Sequence, residues 1–169
     1  MNIRLFQPRD ANRIARLFHD TVREINIRDY SIEQVKAWAP DDVNFTEFTA
    51  RDFTYIAEEG ELILGFADLK KNGHIDRFFC HKDYQGRGIG RQLYETIEAK
   101  ALELGIDRLV TEASITARPF FERMGFSVIQ TQQVYCRGQS FTNYRMEKRI
   151  RKEIPKVRGF DRTLPENER

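Results

Sequence analysis

The N-terminal part of the chain has the apolar pattern of a strand followed by a helix. Residues 3–6 have the composition of a short strand that ends before Pro8. From Ala11, apolar side chains recur at steps of three and four as far as Ile25, which is the spacing of one buried helix face. Asp10 precedes this stripe, so we expect it to act as the N-cap of the helix.

A second, shorter helix is predicted by a capping signal. Ser31 and Gln34 have the spacing of a capping box, in which each side chain accepts a hydrogen bond from the other residue's backbone N–H. Apolar positions continue to Trp38, and Pro40 then ends the helix. We expect residues 44–51 to add one further helical turn.

The rest of the chain alternates segments of strand period with two segments of helix period. Tight turns are indicated at Asn72-Gly73 and at Gly138. A helix that contains Pro119 is capped best by Thr116, because proline is tolerated only in the first turn. The predicted strands are 53–58, 62–70, 74–81, 108–113, 128–137 and 141–148, and the predicted helices are 88–104 and 116–124.

This order of elements predicts the fold class. Hairpin-linked strands and one strand–helix–strand crossover give a mixed, mostly antiparallel sheet of about seven strands with helices on both faces. The expected class is therefore α/β, of mixed α+β topology. We expect one domain over residues 1–148, followed by a basic and flexible C-terminal extension over 149–169.

Composition narrows the range of partners. The chain has 169 residues, of which 40% are hydrophobic and 32% charged, and its net charge is +2. This balance gives no general attraction to nucleic acid or membrane, and no apolar run approaches the roughly 20 residues of a membrane span. The two cysteines, Cys80 and Cys136, form neither a disulfide framework nor a zinc spacing. We therefore expect a cytoplasmic protein with reduced thiols, and one Cys80–Cys136 bridge is the alternative.

The strongest chemical signal is a glycine-rich segment between a predicted strand and the next predicted helix. Gly86, Gly88 and Gly90 alternate, so backbone amides can crowd towards one point without a Cβ between them. The helix start adds unpaired N–H groups and the positive end of the helix dipole. These features predict a diphosphate cradle with Arg87 and Arg91 at its rim. The spacing is neither that of a Walker loop nor that of the dinucleotide fingerprint, and a plain flexible turn is the alternative.

The same segment carries a family resemblance. Gln85-Gly86-Arg87-Gly88-Ile89-Gly90 resembles the Q/R-x-x-G-x-G/A signature of the GNAT acetyltransferase superfamily. The segment 114–126 ends in an aromatic-x-x-x-Gly-Phe pattern that is similar to the next motif of that family. Segments around 30–31, 37–39, 134–138 and 141–143 look like those of its YafP-like members, and the resemblance covers about residues 2–148.

The resemblance implies an N-acetyltransferase with acetyl-CoA as co-substrate and no metal. It implies that the coenzyme diphosphate rests on backbone amides of 85–90 and that strand 74–81 splays from strand 108–113. The pantetheine arm enters this gap, and a backbone N–H near Cys80 polarises the acetyl carbonyl. The residues implied to contact the coenzyme are Phe78, Phe79, Cys80, Gln85, Gly86, Arg87, Gly88, Ile89, Gly90, Arg91, Ser114, Ala117, Phe120, Phe121 and Arg123.

The implied acceptor is a small-molecule amine that attacks the thioester directly. Polyamines, amino acids, antibiotics, aromatic amines and protein N-termini all stay open as acceptors. We expect a monomer or homodimer that binds neither nucleic acid nor membrane. The aromatic residues that could line an acceptor pocket are Tyr30, Trp38, Tyr135, Phe141 and Tyr144.

Direct attack needs a neutral amine, so some group must accept its proton, directly or through water. Asp76 and His74 occupy alternate positions of the strand that holds the thioester. We therefore expect them to share a face with Phe78 and Cys80.

A carboxylate on a mostly apolar strand is costly unless it is paired or functional. Asp76 also matches the Ile-Asp pair of the YafP-like sequences, and the resemblance therefore ranks it first as the base. His74 ranks second because it matches the place where some family members have a glutamate base, and Glu112 on the neighbouring strand ranks third. A purely structural salt bridge from Asp76 to Arg77 or Arg108 is the alternative.

Two positions depart from the family pattern. Phe121 stands where many members have a tyrosine, and Ser114 replaces an asparagine. Phenylalanine has no proton to give to the departing thiolate, so Tyr135, Cys136 or water would have to supply it. The missing tyrosine favours an alternative function, a non-catalytic coenzyme A-binding sensor on the same fold. A second alternative is nucleic-acid or membrane binding through the basic extension.

Overall fold

The computed structural model describes residues 1–42 and 47–150. Its elements follow the predicted order, and their ends differ from the predicted ones by one or two residues. The strands are β1 (Asn2–Leu5), β2 (Phe53–Glu59), β3 (Leu62–Leu69), β4 (His74–Cys80), β5 (Arg108–Ser114), β6 (Ser127–Cys136) and β7 (Gln139–Arg149). The α-helices are α1 (Ala11–Glu24), α2 (Ile32–Trp38), α3 (Ile89–Glu103) and α4 (Arg118–Arg123).

The strands form one sheet in the order β1-β2-β3-β4-β5-β7-β6. All neighbours are antiparallel except β4 and β5, which are parallel and are joined by the crossover helix α3. The prediction of a mixed, mostly antiparallel sheet is therefore confirmed.

Helices cover both faces of the sheet. On one face, Ile14 of α1 packs against Phe66 of β3, and α2 lies on the same side. On the other face, Leu93 and Ile97 of α3 pack against Leu109 of β5 together with α4. All five of these side chains are fully buried, and each contributes about 1.5–3 kcal/mol of hydrophobic stabilisation. The helices thus hold the middle of the sheet rigidly between two cores.

The predicted capping box of α2 is confirmed. Ser31 Oγ accepts from the Gln34 N–H at 3.1 Å, and Gln34 Oε1 accepts from the Ser31 N–H at 2.8 Å. The helical turn expected over 44–51 lies partly outside the described residues, and residues 48–51 are not helical.

Asp10 occupies the N-cap position of α1, as predicted, but its side chain makes no capping hydrogen bond to that helix. Its fully buried carboxylate accepts hydrogen bonds from Arg4 Nη1 and Nη2, at 2.8 and 2.9 Å, and from the Gln7 N–H at 2.8 Å. These bonds place Asp10 at the end of a single 3₁₀ turn, Pro8–Asp10, that precedes α1. The Asp10 carboxylate therefore binds the Arg4 guanidinium of β1 and not the free N–H groups at the start of α1.

The start of α4 also differs from the prediction. The helix begins at Arg118, and Thr116 does not cap it. Instead, Ser114 Oγ accepts from the Ala117 N–H at 3.0 Å. Pro119 occupies the second helical position, where an N–H has no partner within the helix.

The C-terminal strand extends slightly past residue 148. β7 ends at Arg149, and Ile150 is buried in the core beside α3. The remaining part of the predicted extension, 151–169, lies outside the described residues. Within the described part of the chain, no helix is both long and apolar enough to cross a membrane.

Candidate active site

The parallel strands β4 and β5 separate soon after they begin. Their last paired residues are Ile75 and Thr111, and the Thr111 hydroxyl donates to the Ile75 carbonyl at 3.0 Å. Beyond this point β4 stays paired with β3, and β5 stays paired with β7. The facing edges of residues 76–80 and 112–114 therefore have no strand between them among the described residues. The predicted splay is confirmed.

A continuous cavity of about 610 Å³ fills the gap and reaches the start of α3. Arg87 is the one residue predicted to contact the coenzyme that does not line it. Its guanidinium lies over the Tyr84 ring, 4.9 Å from the centroid. The contact of the others with the coenzyme stays a prediction. Those lining residues are Phe78, Phe79, Cys80, Gln85, Gly86, Gly88, Ile89, Gly90, Arg91, Ser114, Ala117, Phe120, Phe121 and Arg123.

The glycine loop presents open backbone to this cavity. Gly86 and Gly88 have φ angles of +72° and +81°, and a Cβ at either position would meet open space. Gly88 is the N-cap residue of α3. The backbone hydrogen bonds of the helix begin with the Gln92 N–H, which donates to the Gly88 carbonyl. The N–H groups at positions 89–91 therefore have no partner within the helix. This arrangement can receive an anion at the positive end of the helix dipole.

Gly90 has a different role in the same loop. A Cβ on Gly90 would lie 3.1 Å from Phe120 Cε2 and 3.6 Å from Cys80 Sγ. The absence of a side chain therefore lets the start of α3 pack closely against α4 and the end of β4.

Two hydrogen bonds join the end of β4 to its surroundings. Gln85 Nε2 donates to the Cys80 carbonyl at 3.0 Å and ties the glycine loop to the strand. The Thr21 hydroxyl donates to the same carbonyl at 2.9 Å from α1. Sequence reasoning missed Thr21, whose only signal is a hydroxyl within the apolar stripe of α1.

Burial raises the pKa of the Cys80 thiol to about 12, so the thiol stays protonated at neutral pH.

The three candidate bases lie at one end of the cavity. Asp76 and Glu112 line it, and His74 Nε2 lies 2.5 Å from Glu112 Oε2. Asp76 Oδ2 accepts from Arg51 Nε at 2.9 Å and lies 4.0 Å from Lys70 Nζ. The structure thus brings the three candidates together, and the partners of Asp76 differ from those considered in the sequence.

A β-bulge changes which side chains of β4 share a face. Midway along the strand, one residue of β3 opposes two of β4, which reverses the alternation of side chains. As a result, Phe78 and Cys80 pack in the same core as Ile75. The expectation that His74 and Asp76 share a face with Phe78 and Cys80 is therefore wrong.

Neither of the two side chains considered as the proton donor lines the cavity. Tyr135 is 82% exposed, and Cys136 Sγ lies 3.6 Å from the Ala37 carbonyl. Tyr144, considered for the acceptor pocket, instead has its ring 4.5 Å from the Arg118 guanidinium.

The cavity wall contains one orphaned hydroxyl. Thr116 Oγ1 is buried and has no hydrogen-bond partner in residues 1–42 and 47–150. Buried polar groups are normally paired, so this hydroxyl is available to a water molecule or to a polar group bound in the cavity. Phe121, which is buried against Phe78 and Phe126, offers no such group. The orphaned hydroxyl and the open glycine loop both fit a long polar molecule in the gap.

Aromatic side chains form the opposite wall. The rings of Phe18, Trp38 and Phe79 contact one another edge to face, with centroids 5.1–6.4 Å apart, and all three line the cavity. Tyr30 and Phe141 pack behind Trp38. Of the five aromatic residues considered for an acceptor pocket, only Trp38 lines the cavity.

Asp76 should contribute modestly to stability through its charge. Burial raises the pKa of its carboxyl, but the Arg51 hydrogen bond and the Lys70 charge outweigh it, and the net pKa is lowered. A carboxyl whose pKa is lower in the folded than in the unfolded state stabilises the fold above the unfolded pKa. Because the pair is partly exposed, Asp76→Asn should lower the free energy of unfolding at pH 7 by about 1 kcal/mol.

Melting curves of Asp76→Asn and the wild type at pH 7 and at decreasing pH test this prediction. The difference should disappear as the pH falls through the folded pKa of Asp76, where both proteins carry a neutral group. A difference that persists in acid would mean that the substitution acts through packing.

Comparison with known proteins agrees with this geometry. Residues 26–148 match the family model of the acetyltransferase (GNAT) domain, so the chain belongs to the GNAT acetyltransferase family and is an N-acetyltransferase. It is 34% identical over 147 residues to the uncharacterized N-acetyltransferase YafP of Escherichia coli strain K12, a match that covers 86% of this chain and 94% of that protein. The resemblance seen in the sequence is confirmed.

Solved structures share the fold. A GCN5-related N-acetyltransferase from Rhodopseudomonas palustris has a TM-score of 0.83 and 34% identity, and the match covers 88% of this chain and 95% of that one. The protein yncA from Salmonella typhimurium, solved with its cofactor acetyl-CoA, has a TM-score of 0.66 and 18% identity, and the match covers 91% of this chain and 96% of that one. PaiA from Thermoplasma acidophilum, solved with coenzyme A, has a TM-score of 0.70 and 15% identity, with 89% and 100% covered.

Proposed function

We propose that the protein transfers an acetyl group from acetyl-CoA to the amino group of a small acceptor by direct attack in a ternary complex. The observation that carries this proposal is the continuous cavity from the glycine loop through the β4–β5 gap to the acidic end. Direct transfer requires both ligands to be bound in one space, with a proton acceptor at the far end from the coenzyme diphosphate. The coenzyme, when bound, supplies the activated thioester.

The residues of the loop and gap would hold the coenzyme. The N–H groups at positions 89–91 would receive the diphosphate, and Arg91 and Arg123 line the same cavity as positive charges. The free edge of residues 78–80 would pair with the pantetheine arm, and a backbone N–H there would polarise the acetyl carbonyl. The amine nitrogen then bonds to the carbonyl carbon, the C–S bond breaks to release coenzyme A as its thiolate, and the amine proton passes to a base.

We propose Glu112, supported by His74, as that base, ahead of Asp76. Asp76 is already paired with Arg51 and has a lowered pKa, and both features make it a poor proton acceptor. Glu112 lines the cavity and contacts the His74 ring, and histidine is the side chain best suited to proton exchange near neutral pH. A carboxylate that faces the acceptor and an imidazole behind it would carry the proton away from the amine.

We keep the cytoplasm as the proposed location and a monomer or homodimer as the proposed state. Cys80 and Cys136 are free thiols in the structure, which supports a reducing compartment.

Acetyl-CoA should raise the melting temperature of the protein, because a ligand specific to the folded state stabilises it by mass action. At about 100 times the dissociation constant the gain is about 2.7 kcal/mol. For a chain of this length that gain corresponds to a shift of about 5–10 °C. Differential scanning fluorimetry with acetyl-CoA provides the measurement, and no shift at millimolar concentration would contradict the coenzyme site.

A thiol-release assay separates the proposed enzyme from the alternative coenzyme A sensor. A panel of polyamines, amino acids, aminoglycosides and aromatic amines is offered together with acetyl-CoA. The enzyme should release free thiol with at least one class of amine, in step with the acetylated product. Binding of acetyl-CoA without turnover across the panel would favour the sensor.

A further inference from the structure

The bulge in β4 coincides with the point at which the active-site gap opens. Asp68 of β3 alone opposes two residues of β4, Asp76 and Arg77. The last pair between β4 and β5, Ile75 with Thr111, lies directly before these two residues. The extra residue therefore determines which backbone groups and side chains of β4 face the gap from Phe78 onward.

The bulge determines which backbone groups face the cavity. The His81 N–H donates to the Leu64 carbonyl at 2.8 Å, so hydrogen bonds from β4 to β3 fall on odd-numbered residues after the bulge. By alternation, the N–H groups of Phe78 and Cys80 point away from β3 and into the gap. A slip of one residue would exchange these groups with their neighbours and reverse every side chain from Phe78 onward.

A buried ion pair spans the bulge. The Asp68 carboxylate is fully buried and accepts from Arg77 Nε and from Arg77 Nη2, the latter at 3.0 Å. The Thr54 hydroxyl donates to the same carboxylate at 2.5 Å. Arg77 Nη2 also donates to the Thr49 carbonyl at 2.8 Å, and the guanidinium lies 5.5 Å from the centroid of the Phe66 ring. Asp68, the single residue opposite the bulge, thus accepts two hydrogen bonds from Arg77, one of the two bulge residues.

We infer that Asp68 and Arg77 are positioning residues, whose two-point pair fixes the bulge and so aims the N–H groups of Phe78 and Cys80 at the thioester. A buried ion pair adds little net stability compared with apolar side chains of similar volume, but its directional bonds define one register. Apolar side chains in the same place would pack without selecting that register. The inference rests on the proposed acetyl transfer.

A second buried pair in the same chain provides a matched control. Asp10 is as fully buried as Asp68, and it accepts hydrogen bonds from Arg4 Nη1 and Nη2 at 2.8 and 2.9 Å. Neither Asp10 nor Arg4 lines the cavity. Arg77→Met and Arg4→Met each leave one buried carboxylate without its guanidinium, so both variants should melt at a lower temperature. Only Arg77→Met should lower kcat per folded molecule, by about 10²-fold, because small misplacements at the reacting atoms cost that much.

Two further measurements make the outcome decisive. The amide ¹⁵N–¹H signals of Phe78 and Cys80 should shift in Arg77→Met and stay in place in Arg4→Met. If Arg77→Met does not fold, the double variant Asp68→Leu/Arg77→Met removes both charges and leaves only the Thr54 hydroxyl without its acceptor, so it should melt above Arg77→Met while it loses turnover and shifts the same two signals. The inference is overturned if the two signals stay in place and kcat per folded molecule equals that of Arg4→Met. If the wild type itself releases no thiol, the proposed reaction fails, while the amide signals still report whether the pair fixes the bulge.

Discussion

Gly88→Val should abolish coenzyme A binding in a protein that remains folded. Gly88 has a φ angle of +81° at the start of α3, next to N–H groups without partners in the helix. Valine avoids this conformation because of its branched Cβ, so the loop would move and the N–H groups would no longer converge. Loss of two hydrogen bonds to a charged ligand is worth about 3–6 kcal/mol, or roughly 10²–10⁴-fold in affinity. Calorimetric titration with coenzyme A measures the effect.

Gly138→Val is the matched control for this substitution. Gly138 also has a φ angle of +81° and open space at its Cβ position, but it lies in the turn between β6 and β7, outside the cavity lining. Both variants should show a similar loss of melting temperature from backbone strain, since the conformations are alike. If both bind coenzyme A equally well, the diphosphate site is elsewhere.

Glu112→Gln should lower kcat by about 10²–10⁴-fold, which corresponds to roughly 3–5 kcal/mol at the transition state. The substitution keeps the shape of the side chain and its contact with His74 while it removes the basic site. The Kd of acetyl-CoA should change little, because Glu112 lies at the acidic end of the cavity, away from the glycine loop. Steady-state kinetics with saturating acceptor, together with titration of acetyl-CoA, separate the two quantities.

The pH dependence of the rate distinguishes Glu112 from Asp76. In the wild type, kcat/KM should rise with pH through one ionisation, and this rise should be lost or displaced in Glu112→Gln. Asp76→Asn should keep the shape of the profile and show the loss of stability described above. The opposite pattern would restore Asp76 to first place, as its position in the sequence suggested. A profile unchanged in both variants, with full turnover, would point to water that leads to bulk solvent.

Local signals in the sequence predicted most of the fold. The capping box at Ser31, the turn at Gly138 and the helical stripe after Gly88 each depend on neighbours within a few residues. The spacing of glycines likewise predicted an open loop at a helix start, because that geometry is set by the loop itself. These elements then leave few possible sheet orders, and the mixed sheet follows from them.

The features that the sequence did not predict are side-chain contacts between different elements. Asp10, in the turn before α1, meets Arg4 of β1, and Asp76 of β4 meets Arg51, which lies 25 residues earlier. The bulge depends on the register between β3 and β4, which alternation of residue types does not encode. Thr21 and Thr116 resemble ordinary helix and turn residues until the fold turns them towards the cavity. The open glycine loop was therefore accessible to sequence reasoning, whereas the acidic end of the cavity required the structure.

The Cys80 thiol lies in the wall of a cavity whose proposed product, coenzyme A, is itself a thiol. Disulfides form through the thiolate, and burial raises the pKa of the Cys80 thiol to about 12, so very little thiolate is present at neutral pH. Attack by Cys80 on oxidised coenzyme A is correspondingly slow. With the proposed product bound, the chain would therefore carry a cysteine beside a second thiol without becoming linked to it, and oxidants that act on exposed thiolates should spare this position.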